Sequence, residues 1–341
     1  MRAISAADSV SPAVQRTREF LFRPFSWGTY LKLGLVALIT EGFAGNFNSS
    51  PGGSSHSSGH APTFPSPFNV APAVLAAIFA LALVAVIACF IFYLITRLRF
   101  AFFHCLVHST KQIRPGWRLY REQASRFFWL NVGVGFCFLL VVALACLPFI
   151  GGFLRLFRET QQGGQPDTGL LLSLILPLIP IVLLLFLAGV LADLILRDFI
   201  LPHFALENAT AGEAWTKVWA TIKAEKRQFL AYALLRVVLP TLAIVGLFLV
   251  LAIPGLILAG SLAAVELGLH SAFADATGAS AMTGLFLEVF FGVLAFGFMA
   301  LASICLGAPV STGIREYALV FYGGRYQALG NILYPPVSRP A

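Results

Sequence analysis

Charged residues within or beside long apolar stretches are the first candidates for chemistry in this sequence. Asp193 stands one helical turn before Arg197 near the end of one apolar stretch, and Arg236 lies inside the next. A charge at membrane depth costs roughly 2.5–3.5 kcal/mol, so each such side chain needs a partner or a function. We expect Asp193 to pair either with Arg236 on an adjacent helix or with Arg197 on its own helix. The pattern is compatible with a proton, ion or headgroup site and with a purely structural pair.

Two further segments, 99–127 and 197–227, combine tryptophan with arginine and lysine. The second contains a capping-box pattern, Thr210 followed three residues later by Glu213, which predicts a helix start. The interfacial aromatics are Trp117, Trp215 and Trp219. The candidate contacts to lipid headgroups are Arg114, Arg118, Arg121, Lys217, Lys223, Lys226 and Arg227. Such residues are typical of helices at the membrane surface, where the rings lie among acyl chains and the cations lie at lipid phosphates. They are equally typical of structural connections that hold the ends of two spans in place.

Patterns typical of catalytic and metal centres are missing from the sequence. It contains no Walker loop, GxSxG, HExxH or GxGxxG motif and no pair of catalytic carboxylates. His104 and His108 are four residues apart, but a lone pair without a carboxylate is a weak metal signal. We therefore expect no catalytic residue, no metal and no cofactor. The basic residues belong to the edges of apolar stretches, which disfavours nucleic acid as a partner.

The composition requires a lipid environment for much of the chain. Of its 341 residues, 58% are hydrophobic and 11% are charged, with a mean hydropathy of +0.85, whereas a soluble domain carries about 25% charged residues. Apolar stretches of about 20 residues cross a bilayer as helices. The sequence therefore predicts an all-α, polytopic transmembrane helical bundle of about six spans. They are expected at about 29–47, 71–96, 128–149, 170–196, 229–258 and 281–306.

The first of these spans is the least regular, because Lys32 and Glu41 interrupt it. We expect Lys32 to reach one membrane surface and Glu41 to lie near the other. The segment 48–70 is rich in Ser, Gly and Pro, which predicts a flexible loop containing His56 and His60 as polar filler. The domain prediction comprises a cytoplasmic interfacial segment 1–28, a membrane domain 29–309 and a cytoplasmic segment 310–341.

The distribution of basic residues predicts the orientation in the membrane. With six spans, one side receives 21 of the 23 Lys and Arg residues, and the other side receives only Arg155 and Arg158. Loops rich in Lys and Arg stay in the cytoplasm. Both termini are therefore expected to be cytoplasmic, in a multi-pass protein of the cell membrane. Anionic lipid headgroups are the expected partners of the basic residues.

The two tryptophan-bearing segments also predict an internal repeat. Arg99 precedes Trp117 by 18 residues, and Arg197 precedes Trp215 by the same distance. Each unit consists of a span, an arginine, a phenylalanine-rich turn, a break, a tryptophan-bearing helix, basic residues and the next span. Because both units have the same orientation, the expected repeat is parallel.

Two stretches carry a resemblance to a known group of proteins. The stretch RDFILPHFALENATAGEAW with its following span, together with REYALVFYGGRY near the end, resembles an uncharacterised family of bacterial six-span membrane proteins. That family is loosely similar to the membrane domain attached to some glycerophosphodiester phosphodiesterases. The resemblance implies a fold and a bacterial cytoplasmic membrane. It implies no activity, because the metal-binding His and Glu residues of the phosphodiesterase module have no counterpart here.

Three functional hypotheses follow from these features. The first is a non-enzymatic membrane protein that organises lipid or a partner protein at the inner face of the membrane. The second is a transporter of a small solute or lipid, supported by the repeat and by Asp193 and Arg236. The third is a lipid-modifying membrane enzyme. A hydrophilic cavity at Asp193 and Arg236 favours transport, and close packing favours the first hypothesis. A protein partner or a homo-oligomer is compatible with each of them.

Overall fold

The protein is helical throughout the part of the chain that its computed structural model describes, which comprises residues 4–42, 70–161, 168–273 and 279–334. This part is 91% helical and contains no strand, so the predicted all-α polytopic fold is confirmed. The predicted loop 48–70 lies outside the described residues except for Val70, and so do its histidines, His56 and His60.

Eleven α-helices and two π-helical turns make up the described part of the fold. The α-helices are α1 (Val10–Phe22), α2 (Trp27–Ala37), α3 (Val70–Val107), α4 (Ile113–Leu119), α5 (Arg121–Gln161), α6 (Thr168–Leu194), α7 (Leu201–Glu207), α8 (Ala211–Ala224), α9 (Lys226–Phe273), α10 (Ala279–Gly323) and α11 (Gln327–Leu333). The π-helical turns, Leu38–Gly42 and Ile195–Ile200, continue directly from α2 and α6.

Within the described ranges, five helical stretches are long and apolar enough to cross a membrane. They are Leu75–Val107, Arg121–Arg158, Leu171–Glu207, Lys226–Val250 and Met282–Gly323. The most apolar window of each stretch has no buried residue, so these five arms expose their aliphatic side chains to the surroundings. A lipid environment accepts such side chains without burial, because acyl chains are as apolar as leucine. The protein is therefore an integral membrane protein, and these stretches correspond to the last five predicted spans.

Only part of the predicted first span lies within the described residues. Its described part consists of the 11 residues of α2 and the five residues of the following π turn, fewer than the roughly 20 that a bilayer requires. This segment packs on α10: the Tyr30 hydroxyl donates to the Cys305 carbonyl at 2.6 Å, and Gly34 lies against Ala308. Lys32 is exposed, and its expected position at a membrane surface stays a prediction. Residues 43–47 of this predicted span lie outside the described ranges.

The buried core lies at the basic ends of the five arms. It is dominated by aromatic side chains from the ends of α3 and α10, from the starts of α5 and α9 and from the segment after α6. The fully buried aromatic residues are Phe100, Phe102, Phe103, Phe127, Phe199, Phe204, Tyr232, Phe321 and Tyr322. Edge-to-face and stacked contacts join many of these rings, for example Tyr232 on Phe321 at 4.4 Å between centroids. This core brings together charged residues that are distant in the sequence.

Candidate functional site

A cluster of mostly buried charged and polar side chains connects the N-terminal segment to four of the five arms. We call it the charge cluster. Its members are Glu41, Arg99, Asp193, Arg197, Asp198, Tyr232, Arg236 and Arg315. Glu41 lies on the π turn after α2, and Arg197 and Asp198 lie on the π turn after α6. π-Helical turns are rare and frequently occur at functional sites, and here two of them meet at one cluster.

Arg197 forms the centre of the cluster. Its Nη1 donates to Asp193 Oδ2 at 2.8 Å, and its Nη2 donates to Glu41 Oε2 at 2.8 Å. Nη2 also donates to the Thr40 carbonyl at 3.1 Å. Of the two pairings expected for Asp193, the structure therefore contains the one along its own helix. The Asp193 side chain is 43% exposed, whereas Glu41 and Arg197 are almost fully buried.

Arg236 pairs with other carboxylates, so the expected alternative of an Asp193–Arg236 pair is not formed. The Arg236 Nε donates to Asp198 Oδ2 at 3.0 Å, and Nη2 donates to Glu41 Oε2 at 2.9 Å. The reason is that Glu41, from the N-terminal segment, comes between the two arginines. The expectation that Glu41 lies near the outer membrane surface is wrong as well. Its carboxylate lies among arginines at the basic ends of the arms, where two guanidinium groups compensate its charge.

Asp198 is the most deeply buried carboxylate of the cluster. Besides Arg236, it accepts hydrogen bonds from the Tyr232 hydroxyl at 2.8 Å and from Arg315 Nη1 at 2.9 Å. A buried carboxylate is tolerated only when it is paired and hydrogen-bonded in this way. Sequence analysis did not single out Asp198 or Arg315. The adjacent Arg-Asp dipeptide at the end of an apolar stretch was the available signal.

Pro202 explains part of this geometry. The Leu201 N–H donates to the Leu196 carbonyl, as a π turn requires, and Pro202 has no N–H to donate. The Arg197 carbonyl is therefore left for a side-chain donor, and Arg315 Nη1 fills this role at 2.9 Å. The π turn thus lets residue 197 join the cluster through both its side chain and its backbone.

Arg99 is the remaining cation of the cluster. It is 7% exposed, and its hydrogen bond to a described residue runs from Nε to the Thr40 carbonyl at 3.4 Å. No carboxylate of the described chain forms a salt bridge with it. The cluster contains four arginines and three carboxylates and so carries one formal positive charge in excess.

The helix predicted around Trp215 is α8. Its capping box is confirmed, because the Thr210 Oγ1 accepts from the Glu213 N–H at 3.4 Å and the Glu213 carboxylate accepts from the Thr210 N–H at 3.1 Å. Ala214 on this helix is buried against the core, whereas Trp215 and Trp219 are 46% and 44% exposed. The two indole rings stack at 6.2 Å. The candidate headgroup residues Lys217, Lys223, Lys226 and Arg227 are exposed around them.

The first tryptophan-bearing segment, 99–127, is divided among three elements. Its residues belong to the end of α3, to the seven-residue α4 and to the start of α5, with a break at Tyr120. Trp117 is partly covered by Arg97, whose guanidinium carbon lies 4.4 Å from the ring centroid and whose Nη2 donates to the Trp117 carbonyl at 3.1 Å. Arg114, Arg118 and Arg121 are exposed. The internal repeat stays a prediction.

A polar cavity of about 410 Å³ lies beside α1. It is lined by Arg16, Glu19, Phe20, Arg23, Ser109, Lys111 and Glu316. Arg16 Nε donates to the buried Glu316 carboxylate at 2.9 Å. One of the three basic side chains that line the cavity is therefore already paired with a carboxylate. The centroids of the His104 and His108 rings are 4.6 Å apart. Within the described ranges, no group of three or more His, Cys, Asp or Glu residues is placed to hold a metal ion.

Comparison with known proteins places the chain in a family without assigned function. Residues 4–332 match the family of unknown function DUF7544. No curated protein and no solved structure matches the chain. The likeness to phosphodiesterase membrane domains therefore stays a prediction. Because the match extends over nearly the whole sequence, the protein belongs to the family of unknown function DUF7544.

Proposed function

We propose that this integral membrane protein is a non-enzymatic organiser of anionic lipid at the inner face of a bacterial-type cytoplasmic membrane. Both termini are assigned to the cytoplasm, together with the segments 1–28 and 310–341 that flank the membrane domain. The observation that carries the proposal is the half-exposed, stacked pair Trp215 and Trp219 on α8, a helix whose neighbouring stripe, Ala214 and Val218, is buried in the protein.

The position of α8 in the chain supports contact with the membrane surface. α9 begins two residues after α8 ends, with Lys226 and Arg227 exposed in its first turn. Leu230, in the same part of α9, is already 74% exposed. Exposed cations, indole rings and the start of an apolar arm thus follow one another along the chain. This order is typical of the headgroup region, where indole rings and basic side chains concentrate.

Electrostatics supports an anionic partner for this surface. Each Lys or Arg near an anionic leaflet contributes about 1 kcal/mol to membrane attraction. The first tryptophan-bearing segment also carries exposed basic residues, namely Arg114, Arg118 and Arg121. The strong bias of Lys and Arg to one side assigns these residues to the cytoplasmic leaflet.

The charge cluster favours an anchoring role over a transport path. Glu41, Asp193 and Asp198 each accept a hydrogen bond from an arginine. Paired carboxylates of this kind connect the N-terminal segment to α6, α9 and α10. Removal of one partner from a buried pair leaves an uncompensated charge, so these pairs hold the connected elements in place.

Tryptophan quenching by brominated lipid in reconstituted bilayers tests the proposal. We expect lipid brominated near the headgroup to quench the fluorescence component that is lost in Trp215→Phe/Trp219→Phe, and anionic lipid to strengthen this quenching. Trp129→Phe is the matched control, because Trp129 is 69% exposed on the α5 arm and should be quenched whatever the lipid charge. Quenching of the Trp215 and Trp219 component by aqueous iodide, with no effect of brominated lipid, would contradict the proposal and favour a protein partner on this face.

A further inference from the structure

Arg99 is a buried cation that forms no salt bridge with a carboxylate of the described chain. It is 7% exposed and its guanidinium cannot deprotonate in a protein. The nearby carboxylates of Glu41 and Asp193 already accept hydrogen bonds from Arg197 and Arg236. A buried cation without an anion is unfavourable, so a compensating anion is expected close by.

The segment that follows Glu41 and Gly42 in the sequence contains no carboxylate. Between Gly42 and Val70 the sequence contains neither Asp nor Glu. The stretches 1–3 and 335–341 contain none either. The chain's remaining carboxylates outside the described ranges, Asp167 and Asp275, belong to the connections after α5 and after α9. The described helix ends that precede them, Gln161 of α5 and Phe273 of α9, are the ends away from the buried core, so the compensating anion is expected from outside the chain.

The geometry around Arg99 offers donors for such an anion. The Thr40 carbonyl accepts from both Arg99 and Arg197, which brings the two guanidinium groups together around one oxygen atom. The Arg197 Nε is buried and has no hydrogen-bond partner among the described residues. The Arg99 Nη1 and Nη2 donate to no described residue. Unused N–H groups of two adjacent guanidinium forks are the donor set that binds phosphate oxygens.

We propose that the charge cluster holds one phosphate-type monoanion between the guanidinium groups of Arg99 and Arg197. One excess positive charge matches a singly charged phosphodiester, and the neighbouring carboxylates of Glu41 and Asp193 oppose a second negative charge. Arg99 and Arg197 directly follow the apolar stretches of α3 and α6, where phospholipid headgroups lie. The phosphate belongs either to a phospholipid or to a free phosphate ion. The site does not depend on the lipid contacts of α8.

Phosphorus analysis of the purified full-length protein tests this site. The protein is prepared in dodecyl maltoside without phosphate in the buffer, extracted with chloroform and methanol, and the phosphorus in each phase is counted per chain. We expect wild type to retain about one phosphorus per chain more than Arg99→Gln, because the variant lacks the fork and the excess charge. Phosphorus in the organic phase identifies a lipid, and phosphorus in the aqueous phase identifies free phosphate. Arg18→Gln, the same change at an exposed residue of α1, should retain the wild-type count.

A second measurement keeps the proposal testable if Arg99→Gln folds poorly. Wild type is stripped of lipid and its unfolding temperature is followed while phosphatidylglycerol or inorganic phosphate is added at constant ionic strength. We expect a saturable rise in wild type. Arg99→Gln should be as stable as stripped wild type or more stable, with no rise. The proposal is overturned if stripped wild type responds to neither source, or if Arg99→Gln retains phosphorus as wild type does.

Discussion

Glu41 is the residue on which two guanidinium groups converge, and its chemistry explains why the cluster is held together. A single oxygen, Oε2, accepts from Arg197 at 2.8 Å and from Arg236 at 2.9 Å. Two buried cations that approach each other this closely repel unless an anion lies between them. Glu41 therefore neutralises a repulsion as well as forming two ion pairs, and it links the N-terminal segment to α9.

Removal of the Glu41 charge is expected to destabilise the protein strongly. Glu41→Gln leaves Arg197 and Arg236 buried without their shared anion, so the expected loss is about 3–5 kcal/mol. Asp193→Asn is the matched control: Asp193 pairs with Arg197 alone and is 43% exposed, so solvent screening limits its loss to about 1 kcal/mol. Unfolding in detergent, followed by circular dichroism, measures both. Equal losses would show that the two carboxylates have equivalent environments.

A double variant separates the pair from its neighbours. Because Arg236→Gln removes one of the cations that Glu41 compensates, Glu41→Gln/Arg236→Gln should lose less stability than the sum of the two single variants. An interaction free energy of about 1–3 kcal/mol is expected from the double-mutant cycle. Strict additivity would show that Glu41 and Arg236 do not interact in the membrane.

At the scale of elements, α2 is positioned by its close approach to α10. A Cβ atom at Gly34 would lie 2.7 Å from the Ala308 Cβ, closer than real carbon contacts allow. Only glycine permits the two helices to approach this closely, in the way that small residues permit helix contacts in membranes. The contact brings the π turn Leu38–Gly42, and with it Glu41, to the charge cluster.

Substitution of this glycine is expected to separate the two helices. Gly34→Ala should lose about 1–3 kcal/mol because the added methyl group forces α2 away from α10. Gly28→Ala is the control on the same helix: no atom lies within 4 Å of its added Cβ, and alanine gains up to about 1 kcal/mol in helix propensity. Thermal unfolding in detergent compares the two variants. A neutral Gly34→Ala would mean that α2 does not pack on α10 in this way.

At the scale of the whole molecule, both ends of the described chain contact one another at the core. Arg325 Nη1 donates to the Ile4 carbonyl at 3.1 Å, and the Tyr317 hydroxyl donates to the Ala6 carbonyl at 3.1 Å. Arg325 also donates to Glu225, between α8 and α9. These contacts hold residues 4–6 and 317–325 together, as the proposed location of both termini on one side of the membrane requires.

Protease accessibility of terminal tags tests this topology. In inside-out vesicles a tag at either end should be cleaved, and in right-side-out vesicles both should be protected, because positive charge keeps these segments in the cytoplasm. Cleavage of the two tags from opposite sides would mean an odd number of crossings. That result would limit the spans to the five apolar arms and would overturn the six-span prediction.

The local features of this protein were predictable from local sequence. The five arms follow from runs of apolar residues, and the capped start of α8 follows from Thr210 and Glu213. The pairing of Asp193 with Arg197 was one of two expected arrangements, because four residues on one helix bring these side chains into contact whatever the rest of the fold does. The break at Tyr120 was not predicted, because Tyr120 itself carries no turn signal.

The sequence by itself thus determined that this is a membrane protein. It also determined which residues form most of the spans and which ends of those spans are basic. Only the tertiary structure decided which charges meet. Glu41 joins Arg197 and Arg236, Arg315 joins Asp198, and Arg99 is left in excess, although these residues are far apart along the chain. The physical reason is that a buried charge pairs with whichever opposite charge lies on a neighbouring helix end. Aromatic packing across the whole core decides which helix ends are neighbours. No local pattern contains this information.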